Sequence, residues 1–333
     1  MILTGHCIEV MRTLPAASVQ AAITSPPYWG LRNYGTEAVV WDDGWKGELG
    51  QEPTPDAFVA HLVDVFRAVR RVLRPDGILW VNLGDTYETG HVANPSPKST
   101  LLGKKDVGAG TDPVARTGAK GGRQKSLAGI PYRFALAMMA DGWIFRQDII
   151  WAKPNPMPES VTDRCTKAHE YVFLFARQPR YFWDPSAMQE RAISAGAVRK
   201  PTGAGSKNAQ IKATGVGNTR GGVVNHGAVT GEYRNRRSVW TVANDGITEA
   251  HFATFPRALV RPMILASTRL GDTVLDPFSG AGTTVLVAEE QGRIGIGIEI
   301  NPSYVAISER RIPLRLDLTV DAGETVTVWG AQP

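Results

Sequence analysis

Two cysteines in 333 residues, Cys7 and Cys165, are too few for a disulfide framework or a cysteine-built zinc site. No apolar run approaches the roughly 20 residues needed to cross a bilayer. The opening stretch MILTGHCIEVMRTLP lacks the charged, apolar and small-residue blocks of a secretion signal. These absences predict a protein of the reducing cytoplasm with no membrane partner. Histidine is scarce as well, and His169-Glu170 has no second histidine at zinc-protease spacing, so a structural role is expected there and no metal. Internal repeats are missing. Acidic residues are missing locally: between Ser186 and Trp240 only Glu190 and Glu232 oppose nine basic side chains.

What is present is an ordinary globular composition, 43% apolar and 21% charged, long enough for one large core or two linked domains. Apolar and helical periods alternate. SVQAAITSPP reads as a short strand ending in a turn. PDAFVAHLVDVFRAVRRVLRPDG carries Phe58, Leu62, Val65, Phe66, Val69 and Leu73 at helical spacing and predicts a helix stopping at Pro-Asp-Gly. ILWVNLGD, WIFRQDIIWAKP, HEYVFLFARQ and RIGIGIEI read as strands. IPYRFALAMMADG, FPRALVRPMILAST and TTVLVAEEQG read as helices. This alternation predicts an open, mostly parallel α/β sheet, and LRLDLTVDAGETVTVW predicts a terminal hairpin.

LDPFSGAGTTVLVAEEQG is a strand, a glycine loop and a helix. It has Gly280 and Gly282 but lacks the third glycine of G-x-G-x-x-G, because Thr284-Val285 stands there. A pyrophosphate needs a helix N-terminus pressed close, which that third glycine permits. A phosphate-free adenosine cofactor needs only close backbone approach. Glu299, ending the following strand, is placed to accept hydrogen bonds from ribose hydroxyls. Upstream, TSPPY places Ser25, Pro26, Pro27 and Tyr28 at the end of a strand, with two fixed φ angles and no proline N–H donor.

TSPPY followed far downstream by DPFSGAGTT resembles the DNA amino-methyltransferases that modify cytosine N4 or adenine N6. Gly142–Arg177 is similar to the family's paired strands behind the catalytic loop, and His251–Ile264 to the segment preceding its glycine loop. Together these cover over half the chain. The resemblance implies a Rossmann-like, mostly parallel seven-stranded sheet with helices on both faces, S-adenosyl-L-methionine as cofactor and double-stranded DNA as substrate. Homodimerisation and a cognate restriction endonuclease are left open.

Because the catalytic loop precedes the cofactor loop, the order resembles the circularly permuted β class. It divides the chain into a catalytic part, 1–180, with a basic insertion at 88–128, a target-recognition region, 181–245, and a cofactor-binding part with the hairpin, 246–333. The implied catalytic residues are Ser25, Pro26, Pro27 and Tyr28. Those implied for the cofactor are Asp276, Phe278, Gly280, Gly282, Thr283, Thr284 and Glu299, with His251, Phe255 and His6. The family commonly has Gly-Asp near the start. Here Gly5-His6 stands instead, so a neutral His6 or the backbone would reach the adenine.

The basic stretches read either as solvated loops or as phosphate-facing loops that order on DNA; on the second reading Arg191, Lys200, Lys207, Lys212, Arg220, Arg234, Arg236 and Arg237 contact phosphates, because Lys and Arg release counterions from DNA. Asp85 reads as a strand-end cap, with contact to the cofactor or catalytic loop as the alternative; Trp29, Arg32 and Tyr34 read as core residues or as a lining of the base pocket or DNA backbone, the latter slightly favoured. Neither cysteine lies in a Pro-Cys turn, so the covalent chemistry of cytosine C5 methylation has no nucleophile. Serine before Pro-Pro leans towards cytosine N4, with adenine N6 the alternative. Protein glutamine methylation and an inactive DNA-binding module are more distant readings.

Overall fold

The structure is a computed structural model that describes residues 1–31, 35–36, 38–88, 125–192, 232–244, 255–312, 314–319 and 325–330. Its main sheet is built from β1 (Ile2–Thr4), β2 (Val19–Thr24), β5 (Leu73–Leu83), β6 (Ile144–Ala152), β7 (His169–Ala176), β10 (Val239–Thr241), β11 (Thr273–Asp276) and β12 (Ile294–Glu299). Two-residue strands β3 (Val39–Val40) and β4 (Lys46–Gly47) pair separately, as do β8 (Gln189–Arg191) and β9 (Tyr233–Asn235). The terminal hairpin forms as predicted, β13 (Leu314–Thr319) against β14 (Thr325–Gly330), while its Asp-Ala-Gly turn lies outside the described residues.

The order β1-β12-β11-β2-β5-β7-β6-β10 gives eight strands where seven are predicted. The extra one, β10, runs parallel to β6 from inside the basic stretch, where its three residues are too few to show a period. All strands run in one direction except β7, which is antiparallel to both neighbours. Chain order reverses at β2. The path from β2 goes to β5 on one side, whereas β11 on the other side leads to β12.

The helices are α1 (Cys7–Thr13), α2 (Pro55–Val72), α3 (Ile130–Ala140), α4 (Arg257–Ser267), α5 (Thr283–Glu290) and α6 (Pro302–Arg311). Helix α2 starts as its sequence dictates, with Thr54 accepting from the Ala57 amide and Pro55 at the first turn. Alternate residues of β5 serve opposite faces. Leu79 and Val81 join the core under α2 and α3 with Phe58, Phe66 and Phe134. Trp80 points the other way, donating to the Ser267 hydroxyl of α4 at 2.7 Å and packing near Trp183 and Trp240. No helix among the described residues is long and apolar enough to cross a membrane.

Pro75-Asp76-Gly77 does not end a helix as the sequence suggests. Helix α2 stops at Val72 and the three residues form an irregularity inside β5, between the pairings Val19–Leu73 and Ala21–Ile78. A proline has no N–H for the ladder, so it is tolerated at such a bulge.

Asp85 is a cap, as its place at a strand end predicts. Its carboxylate accepts from the amides of Gly129 (3.1 Å) and Ile130 (3.0 Å), the orphan donors at the start of α3. The bridge Tyr87–Leu127 and the bond from the Glu88 amide to Ser126 O join the two ends of the basic insertion beside it. Asp85→Ala is expected to lower stability to urea by about 1–2 kcal/mol; an unchanged unfolding midpoint would refute the capping role.

Candidate active site

Every strand that matters for the site presents one end to the same edge of the sheet. Parallel pairing puts Thr4 opposite Glu299 and brings the ends of β2 and β11 together. Because β7 reverses, its first residues meet the last residues of β5 and β6: Tyr171 pairs with Leu83, and His169 with Ala152. A cavity of about 370 Å³ opens at this edge. Ligands in open α/β sheets bind where strand order reverses, and the cavity lies at that point.

The Ser-Pro-Pro-Tyr corner and the glycine loop form two of its walls. Thr24, the last residue of β2, donates its hydroxyl to Asp276 Oδ1, at the end of β11, over 2.6 Å. Those residues are 252 positions apart. Ser25, Pro26, Pro27 and Tyr28 all line the cavity, as do Asp276, Phe278, Gly280, Thr283, Thr284 and Glu299. Phe255 and His6 line it too. His251 lies outside the described residues.

Gly282 stands apart from these residues. It does not line the cavity but adopts a left-handed φ of 77° at the start of α5. An added Cβ there would come within 3.0–3.1 Å of Ser308 and Ile312. Its lack of a side chain serves the packing of α6.

Four amides of the glycine loop are taken up within the protein. Phe278 N donates to Asp276 Oδ1, Ser279 N to Ile298 O, Gly280 N to Glu299 Oε2 and Gly282 N to Ser279 O. None of these donors is turned to a phosphate. Glu299 also accepts from the Asn301 amide at 2.8 Å, and burial pushes its pKa up. Burial likewise pushes the Asp276 carboxyl up to about 6, although hydrogen bonds from Thr24, Thr284 and Phe278 oppose that rise. Glu48 and Glu170 add two further carboxylates, against one lysine among the described residues, Lys153. Such a lining favours a ligand carrying positive charge. Burial lowers the His6 pKa, leaving a neutral imidazole edge-on to Trp41 at 5.5 Å. Cys7 also lines the cavity, but burial pushes its thiol up to about 12, so it supplies no thiolate.

Behind the corner stands a polar network that the motifs do not reveal. The Ser25 hydroxyl donates to Asn82 Oδ1 at 3.2 Å. Tyr28 OH lies 2.6 Å from Glu170 Oε2, and Lys153 pairs with the other oxygen of that carboxylate. Gly84 lies under the ring, where an added Cβ would fall 2.5 Å from Tyr28 Cε2. Asn82, Glu170 and Lys153 escape the sequence reading. One signal for Asn82 is there: a lone amide in the apolar run ILWVNL must find partners once buried. Glu170 becomes visible only when β7 is known to run backwards.

Of the two readings of Trp29, the less favoured one holds. It is 7% exposed and its indole donates to Glu52 O at 2.9 Å, so it belongs to the core. Arg32 and Tyr34 lie outside the described residues.

The basic residues fall mostly outside the described part as well: Lys200, Lys207, Lys212 and Arg220 are not among them. Contacts divide the chain into Met1–Asp184 with Ser238–Pro333, and a second unit, Pro185–Arg237. Within that second unit Arg191 is exposed on β8. Arg234 and Arg237 share the carboxylate of Glu190, both at 2.9 Å, and burial lowers the pKa of Arg236.

Comparison with known proteins agrees with this geometry. The type II methyltransferase M.Cfr9I of Citrobacter freundii is 39% identical over 308 residues, covering 92% of this chain and 86% of that protein. Among solved structures, the cytosine-N4-specific PvuII DNA methyltransferase shares the fold at 19% identity, with a TM-score of 0.60 over 96% of this chain and 87% of that one. A Thermus thermophilus protein solved in complex with S-adenosyl-L-methionine does so at 21% identity, with a TM-score of 0.54 over 93% and 92%. The model of the DNA methylase family, the N6/N4 methyltransferases, matches residues 19–310, and the chain belongs to that family.

Proposed function

We propose that the protein is an S-adenosyl-L-methionine-dependent, sequence-specific DNA methyltransferase acting on cytosine N4. The observation that carries this reading is the Thr24–Asp276 bond, which seats the Ser-Pro-Pro-Tyr corner and the glycine loop around one cavity. The donor set fits the cofactor. Its sulfonium and ammonium charges suit a lining of carboxylates, and four of the loop amides, those of Phe278, Ser279, Gly280 and Gly282, already have acceptors within the protein. Glu299 would hold the ribose hydroxyls, with Asp276, Phe278, Gly280, Thr283, Thr284, Phe255 and His6 around the remainder. When bound, the cofactor supplies an electrophilic methyl group.

The chain's own residues then prepare the nucleophile. An exocyclic amino group is a poor nucleophile because its lone pair is delocalised into the ring. Ser25 Oγ and the Pro26 carbonyl would accept its N–H bonds and favour a more tetrahedral nitrogen. The rigid prolines keep this acceptor array preorganised. Tyr28, its hydroxyl fixed by Glu170 and its ring backed by Gly84, would stack on the extruded base and offset the few kcal/mol that flipping costs. Serine at position 25 supports cytosine; adenine N6 is the alternative within the same family.

The order of the two motifs supports a permuted, β-class arrangement. Sequence choice is assigned to the basic region 181–245, and duplex DNA to its arginines and lysines. Membership among type II enzymes would place a cognate endonuclease beside it in the cell, in the cytoplasm.

Methyl transfer to mixed-sequence duplex DNA, followed by digestion to nucleosides and mass spectrometry, should yield N4-methylcytosine. N6-methyladenine would keep the family and overturn the base. Ser25→Ala should lower turnover by about 10²-fold with cofactor affinity unchanged; wild-type turnover would remove the corner from the mechanism.

Replacing Arg234, Arg236 and Arg237 together should weaken duplex binding and flatten its dependence on log salt, by about 1 for each arginine that pairs with a phosphate. An unaltered slope would return them to their role around Glu190.

Asp276 gives a pH signature in the ligand-free protein. Its folded pKa of about 6 lies above the ordinary 3.8. Its contribution to stability is therefore greatest below the ordinary value and is lost as pH rises through about 6. The melting temperature of Asp276→Asn relative to wild type should be higher at pH 8 than at pH 4. The opposite ordering would contradict a carboxyl raised by burial.

A further inference from the structure

The Ser25 hydroxyl has a single proton, and its direction decides whether the oxygen can serve as an acceptor. Ser25 Oγ lies 3.2 Å from Asn82 Oδ1. Asn82 is 2% exposed, and its amide is locked from behind. Nδ2 donates to Glu170 Oε2 and to the Tyr171 carbonyl, both at 3.1 Å. Turning the amide over would set its oxygen against a carboxylate and a carbonyl, so Oδ1 must face Ser25. The Tyr28 proton does not compete, because the Glu170 carboxylate at 2.6 Å is nearer than Oδ1 at 3.2 Å, and a charged acceptor is the stronger. Lys153 in turn holds Glu170 in place.

We propose that Asn82 is a positioning residue that commits the Ser25 proton away from the cavity, so that only oxygen lone pairs face the target amino group. Without it, the hydroxyl rotates and for part of the time points a proton at the amino N–H bonds it should accept. Glu170 and Lys153 act one step further back, by fixing which way the Asn82 amide points. This inference rests on the amino-methyltransferase reading of the corner.

Replacing the amide by a carboxyl gives the arrangement a distinctive signature. In Asn82→Asp one oxygen still accepts from Ser25. The other stands where Nδ2 was, about 3.1 Å from Glu170 Oε2. Two carboxylates so close cannot both ionise freely and will share a proton. Below the pKa of that proton the bridging O–H imitates the original N–H. Above it the pair repels and the corner is disturbed. The other groups facing this point are Lys153 after β6, Tyr28, Tyr171 on β7 and Lys167, whose Nζ donates to Asp85 O. The Tyr171 phenol is pushed up to about 12, by burial first and the Tyr132 hydroxyl second, and stays neutral in the range tested.

The test compares Ser25→Ala, Asn82→Leu and Asn82→Asp in methyl transfer at saturating mixed-sequence duplex DNA. S-adenosyl-L-methionine binding is measured separately by calorimetry. Asn82→Leu should lower kcat on the order of tenfold, the effect of removing one oriented hydrogen bond, with KM for DNA and cofactor affinity unchanged. Asn82→Asp should recover most of the rate near pH 6 and lose it, relative to wild type, as pH rises to 9.

Wild-type kcat in Asn82→Leu beside an impaired Ser25→Ala would overturn the positioning role while leaving the corner intact. Full turnover in Ser25→Ala would overturn the corner itself, and this inference with it. Should Asn82→Leu fail to bind cofactor, the pH trend of Asn82→Asp decides alone, and a ratio to wild type that is constant with pH refutes the proposal.

Discussion

The hydrogen bond from the Thr24 hydroxyl to the buried Asp276 carboxylate is the joint on which the site depends. Without the parallel pairing of β2 and β11 beneath it, the Ser-Pro-Pro-Tyr corner and the glycine loop would be two unrelated turns. The pairing makes both strands end at one edge, and the bond fixes how far apart their loops begin. A buried carboxylate is costly, and this one is raised to about 6 for that reason. Its cost is partly offset by three donors, Thr24, Thr284 and the Phe278 amide. Thr24 leads directly into one of the loops that must be held together, and Phe278 lies in the other. Desolvation and positioning are thus the same feature seen from two sides.

The second constraint is the reversal of β7. In a purely parallel sheet the far end of β7 would stand at the cavity, and its first residues would lie at the opposite edge. The reversal brings Glu170 from the beginning of β7 to the same edge as Lys153, which follows the end of β6, and the two pair there. The corner gains from this what its own sequence lacks, a set of partners able to fix hydroxyl directions. Tyr28 is anchored at its hydroxyl by Glu170 and allowed its place by the bare backbone of Gly84.

Much of this fold is legible in the sequence because local signals agree with it. Thr54-Pro55 opens α2, and alternating periods mark the strands on which the corner and the loop are mounted. The failures share a cause: each depends on a partner distant in the chain. Pro75-Asp76-Gly77 looks like a stop until β2 is laid beside it, when it becomes a bulge. Gly282 looks like part of a ligand loop until α6 is seen to press on it. Trp29 looks like a pocket wall because it follows the corner, yet the Glu52 carbonyl turns it inward. Asn82 announces itself only as a polar residue in a buried strand, and what it touches comes from β7, 88 and 89 positions away.

The distribution of charge has a consequence of its own. Among the described residues the cavity is lined by Glu48, Glu170, Asp276 and Glu299 with Lys153 opposing them, whereas nine basic side chains face only two acidic ones between Ser186 and Trp240. A nucleic-acid backbone is repelled from such a cavity, and a neutral base is not. For the proposed reaction this acts as a filter. In that reaction phosphates would be held elsewhere by counterion-releasing contacts, while a base swung out of its stack would enter a site whose negative field suits a cationic methyl donor. The same field opposes charge build-up of the wrong sign: a nitrogen that gains positive character as the methyl group arrives is stabilised by the carboxylates around it. One electrostatic arrangement therefore serves cofactor choice, exclusion of the backbone and the chemical step together.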